Sequence, residues 1–332
     1  MPTPLITGGL ITLLGIKGVA DLRQAAVDSR EAEKITALAD DMIDASHRVI
    51  NEVRNRTKYA IEELGRQKLE ASVTELKDFV EIYRRLKNVN VSKSNIEESL
   101  GKLPIVSEGS LAEMDDISLE ATDVLESGLA GVGAGALLGW GTYGGVMALG
   151  SASTGTAIAG LSGVAATNAT LAWLGGGAVA AGGGGVALGT AILGGIVAAP
   201  ALLVAGGIFK SKAREKVNNA CAYFAQAEQA VSEVKLGIEK LNHIAATANQ
   251  INDLLRAIRE YTDMFNAGMN IITMSKTDWR QFSQEEKNVV AGAVKMVQIL
   301  KVILDCPLLT EKGEITTDAL GLSGYGKALQ YK

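Results

Sequence analysis

Cysteine is nearly missing from this chain: Cys221 and Cys306 are the only two in 332 residues. Two thiols build neither a disulfide framework nor a metal-type spacing, so a reducing, intracellular setting is expected. Histidine is as scarce, with His47 and His243 alone, each inside a helical pattern. No HExxH, Ser-His-Asp or Cys-His order can be assembled from them, and neither an enzyme, a cofactor nor a small-molecule substrate is expected. Aromatic residues make up 5% and prolines number five, which favours long helices over compact sheet domains and makes the fold class all-α. The formal charge is −5, with no stripe of Lys and Arg, and that argues against nucleic acid as a partner.

The deepest lack is local. From Ser127 to Phe209 there is no Asp, Glu, Lys, Arg or His, and 24 of the 38 glycines fall inside this run. A stretch several times longer than the ~20 residues that cross a bilayer can span it as more than one helix. A soluble core would have to hide all of it. Val186 to Phe209 is the best single span, with eleven large apolar residues; Leu129 to Gly150 is diluted by glycine and needs a partner helix. Between them, Ser151 to Ala181 has an apolar and a polar face, and its Thr154, Thr156, Asn168 and Thr170 are the groups expected to face a water-filled lumen. Gly131, Gly135 and Gly139, then Gly141 and Gly145, recur every fourth residue, the spacing that lets helices approach closely in lipid.

The flanks are charged. Residues 1–126 carry net −7 and residues 210–332 net +2, and the chain divides on this pattern into 1–126, 127–209 and 210–332. The apolar N-terminus lacks a positive leader region and is expected to be a short buried or membrane-surface anchor rather than a cleaved signal. Ile35, Leu38, Met42, Ala45, Val49 and Val53 lie at helical steps of three and four, and past Gly65 a second register begins with Leu69, Val73, Leu76 and Val80. One long amphipathic helix, bent near Gly65 and ending near Asn88, is the expectation. Leu111 to Glu126 reads as a helix with an acidic start, which the helix dipole favours. Residues 210–272 repeat the amphipathic pattern and are expected to lie antiparallel to the first long helix, coiled-coil fashion, with the apolar hairpin at one end. Ser283 and Glu286 match a capping box before a third helix that Pro307 ends. The tail beyond Gly321 reads as loosely packed. Lys210, Lys212, Arg214 and Lys216 close the apolar run and place its C-terminal side in the cytoplasm.

The centre STGTAIAGLSGVAATNATLAWLGGGAVAAGGGGVALGTAILGGIVAAPAL, with the later VILDCPLLTEKGEIT, resembles a widespread family of uncharacterised bacterial proteins with this glycine-rich centre, whose members are often labelled hypothetical or chemotaxis proteins. The resemblance implies no catalytic or ligand residue. In layout, amphipathic helices flanking an apolar hairpin are similar to the α-helical pore-forming toxins, an analogy that does not itself establish function. The expectation is a membrane-inserting helical protein, pore-forming or membrane-perturbing, partnered by a lipid bilayer and by copies of itself. It would sit in the bacterial inner membrane with both flanks cytoplasmic, or in the cytoplasm until triggered. The alternatives are a membrane-anchored scaffold or sensor, and a soluble assembly protein with the hairpin buried.

Overall fold

The computed structural model describes residues 29–89, 106–126, 213–310 and 313–329. Among them the chain is all-α: α1 (Ser29–Ala71), a π-helical turn (Ser72–Leu76), α2 (Lys77–Tyr83), α3 (Glu108–Glu126), α4 (Ala213–Ser275), a 3₁₀ turn (Trp279–Gln281), α5 (Gln284–Asp305) and α6 (Thr317–Leu329). Two isolated backbone bridges, Lys87 with Asp278 and Leu309 with Ile315, are the sheet-like pairings among these residues. The charge-free run lies outside the described residues, as does the N-terminal apolar segment.

The described chain falls into two compact units. Of the described residues, those up to Thr57 together with the part of α4 up to Ile244 form the first, and those from Lys58 to Glu126 together with the chain from Ala245 onward form the second. In the first unit Ala32, Ile35, Ala39 and Met42 of α1 bury against Ala220, Cys221, Phe224, Ala227 and Val231 of α4. A second cluster joins Ile50 and Val53 to Val234, Ile238 and Leu241. Each large side chain so buried contributes about 1.5–3 kcal/mol, and the interleaved alanines let the two backbones come close.

The direction of this pairing corrects the antiparallel expectation. Asp40 accepts a hydrogen bond from Tyr223 at 2.6 Å, and further along Thr57 donates to the Leu241 carbonyl at 3.1 Å. Both partners advance together, so the helices run parallel. The second unit repeats the sense, with Glu63 beside Arg256 and the Lys87 amide bonded to the Thr277 carbonyl. A short connection would have forced an antiparallel hairpin, but the long stretch from Arg84 to Lys212 leaves α4 free to start at either end.

Gly65 sits inside regular α1, and the irregularity falls at Ser72–Leu76 instead. A π turn inserts one extra residue into the helix there, and the second register, which begins at Leu69, already runs before it. α2 ends at Tyr83, short of the expected end near Asn88, which takes φ 58° in the turn beyond the helix. The capping box is present: the Ser283 Oγ accepts from the Glu286 amide at 3.1 Å, and the Glu286 carboxylate accepts from the Ser283 amide at 2.7 Å. α5 stops at Asp305, two residues before Pro307.

The tail is not loose. Thr316 caps α6, its Oγ1 accepting from the Ala319 amide at 3.1 Å, and Ser323 and Gly326 are buried. A Cβ on Gly326 would collide with the carbonyl oxygen of Gln250 in α4. Backbone meets backbone there, with no flexible side chain to yield. Gly326→Ala is therefore expected to loosen α6 from α4 at a cost of about 1–3 kcal/mol, read as faster hydrogen exchange confined to residues 317–329.

Candidate functional site

The helix-packing glycines (Gly131, Gly135, Gly139, Gly141, Gly145) and the lumen candidates (Thr154, Thr156, Asn168, Thr170) lie outside the described residues. So do Lys210 and Lys212; Arg214 and Lys216 fall in the first turn of α4. The structure instead assembles a polar cluster absent from those expectations, in the second unit around the π turn.

Its centre is Arg259 of α4. The Arg259 Nε donates to Glu75 Oε1 at 2.7 Å, and Nη1 donates to Gln67 Oε1 at 2.7 Å and to Glu70 Oε2 at 3.3 Å. Glu75 is 2% exposed and lies within the π turn. Its backbone carbonyl takes a bond from the Asn266 side-chain amide at 2.9 Å, and its other carboxylate oxygen accepts from the Thr74 hydroxyl. The π geometry thus leaves a backbone acceptor facing α4 and turns an acid inward to meet a cation.

A second guanidinium continues the chain of bonds. Arg66 holds Glu63 at 2.6 Å and 2.9 Å and also pairs with Glu70, while Arg256 reaches Glu63 from α4 at 3.4 Å. The Arg66 hydrogen bonds hold the Glu63 carboxyl below its usual range. Asp263 goes the other way: desolvation raises it, with the nearby Glu75 and Asp78 charges adding to the shift.

Next to Gln67 in α1 lies Lys68, 1% exposed, whose Nζ donates to the Cys306 carbonyl at 2.8 Å just past the end of α5. Burial lowers its pKa to about 8, against opposing contributions from Cys306 and Asp305. Asp305 is held by Lys301 at 2.5 Å. The Cys306 thiol is itself pushed up by burial.

α3 packs on the π turn and on α2. Its acidic face is partly answered by basic groups, Asp115 accepting from Arg84 at 2.8 Å and Glu113 from Lys301 at 3.1 Å. Glu120, further along, is raised by desolvation and by Asp116 and Asp123.

Chemically this arrangement fixes register. Bidentate and charge-assisted bonds at set levels along two parallel helices permit one alignment, and sliding by a turn would strand Glu75 and Lys68 in apolar surroundings. Among the described residues no group of three or more His, Cys, Asp or Glu could hold a metal ion, and no helix is long and apolar enough to cross a membrane. Set against family models, curated proteins and solved structures, the chain finds no match.

Proposed function

We propose that the chain is a membrane-inserting helical protein in which residues 127–209 enter the bilayer from the parallel-helix units that flank them in sequence. The observation that carries this is the absence of any charged residue or histidine over those 83 positions, beside flanks rich in both signs. Buried polar bonds that tie α1 and the π turn to α4 and to the end of α5 suit a rigid support for such a part. The basic cluster Lys210, Lys212, Arg214 and Lys216 fits a cytoplasmic exit, and the resemblance in layout to α-helical pore-forming toxins supports a pore as the form of action. The second reading, a membrane-anchored scaffold or sensor, draws on the same register lock, since a stiff parallel pair transmits displacement along its axis.

Replacing Leu193 and Val197 together by Arg places two charges near the middle of the best span. The native chain is expected to show membrane association that resists alkaline carbonate, and at ~2.5–3.5 kcal/mol per charge the double variant is expected to lose it. Undiminished association would remove the span. Dye release from vesicles then separates the two readings: Gly135→Leu is expected to suppress release by a pore without altering helix content, whereas a scaffold releases nothing in either form.

A further inference from the structure

The last turns of α4 expose Met264, Ile271 and Met274, the last two at 69% and 81%. With the exposed Ala267 these residues follow heptad spacing, and at ~100° per residue they cover one face of α4. The faces on either side are occupied: Asn266 and Arg259 meet the π turn, while Gly268 lies against Val289 of α5. An exposed heptad face on an otherwise packed helix marks an interaction surface.

Charge says what covers it. Beside the N-terminal half of the stripe lie Glu260, Asp263 and Asp78, none in an ion pair among the described residues. Beside the C-terminal half lie Arg85, whose guanidinium reaches the Asn270 side-chain carbonyl at 3.0 Å, and Lys87, whose backbone is bonded to Thr277. These two also lack an acidic partner among the described residues, while Arg84, Lys276 and Arg280 are each paired with one. Glu81, exposed on α2, acts electrostatically on Asp78. An apolar stripe that is acidic at one end and basic at the other is complementary to itself when turned end for end. A lipid surface would meet the acidic half as a penalty.

We propose that this face binds a second copy of the chain, laid antiparallel about a two-fold axis near Gly268, so that Asp263 of each copy approaches Lys87 of the other. The proposal stands apart from the membrane reading, because it uses none of residues 127–209.

Sedimentation of the full chain tests it. Ile271→Ser with Met274→Ser is expected to weaken self-association about a hundredfold with helix content unchanged. Lys87→Glu and Asp263→Lys should each weaken it about tenfold, and the two together should restore it, since the symmetric contact is remade with signs exchanged. The native thiols are buried, so introduced cysteines report geometry: an equal mixture of Met264→Cys and Met274→Cys should form a mixed disulfide dimer, and neither variant alone should cross-link to itself. Self-linking of each variant would mean a parallel contact and overturn the proposal. Association untouched by the serine pair but lost in Gly135→Leu would assign it to the charge-free run and overturn it too. A monomer whose flotation with phosphatidylglycerol vesicles depends on Ile271 and Met274 would put lipid in this place instead.

Discussion

Arg259→Met is expected to cost the second unit about 3 kcal/mol, because it leaves the carboxylate of Glu75 inside the helix interface without its cation. Glu75 is 2% exposed and its counter-charge is 2.7 Å away. Methionine keeps most of the side chain's length, so lost packing contributes little to the change. Glu75→Leu alone strands Arg259 less severely, since Gln67 and Glu70 still accept from it. The double variant Arg259→Met with Glu75→Leu should recover most of the loss, a non-additivity of about 2 kcal/mol in a denaturant cycle. A single-variant cost under about 1 kcal/mol would show that water reaches the pair and that it does not hold register.

Lys68 gives the second large effect, and it is a matter of pH. A lysine whose folded pKa is about 8 against 10.5 in the open chain carries its full penalty at neutral pH, where both states are protonated. Between pH 8 and 10.5 the unfolded chain keeps the proton that the folded chain has released, so stability rises with pH through this window. Lys68→Met lacks the group and lacks the rise. The unfolding free energy of the native chain is therefore expected to gain about 3 kcal/mol on that of Lys68→Met between about pH 7 and pH 10.5. Taking the difference cancels tyrosines such as Tyr83, which burial raises to about 12. Parallel stability curves over this range would mean that Lys68 keeps its charge at no cost.

The helices are legible in the sequence because their signals are local. Three-and-four spacing marks α1 and α4, and Ser283 with Glu286 marks the start of α5. Direction is not legible, since periodicity is the same read from either end. The tail looks loose in sequence because glycine ordinarily loosens a helix, while Gly326 is there to admit a carbonyl oxygen. The polar cluster does leave a trace: Ile61, Leu64, Lys68, Ala71, Glu75, Phe79 and Ile82 are all buried and all fall at steps of three or four. A lysine and a glutamate seven apart on one apolar stripe are themselves the mark of buried polar groups. Their partners, Cys306 and Arg259, lie far along the chain, and spacing carries no information about them.

Parallel pairing also sets the order in which this protein can be made. The hydrogen bonds that join α1 to α4 link residues more than 180 positions apart. At ~5–20 residues per second, the ribosome finishes each level of α1 roughly 10–40 s before the matching part of α4 emerges. Throughout that interval Ile35, Met42, Val53 and Leu64 have no partner helix. The nascent chain thus carries a free amphipathic strip, followed by a glycine-rich apolar one, before the first of these bonds is possible. Loop closure over such a distance is slow compared with hairpin formation. Factors that shield exposed apolar surface during synthesis should therefore raise the yield of this chain far more than that of a helical hairpin of equal length.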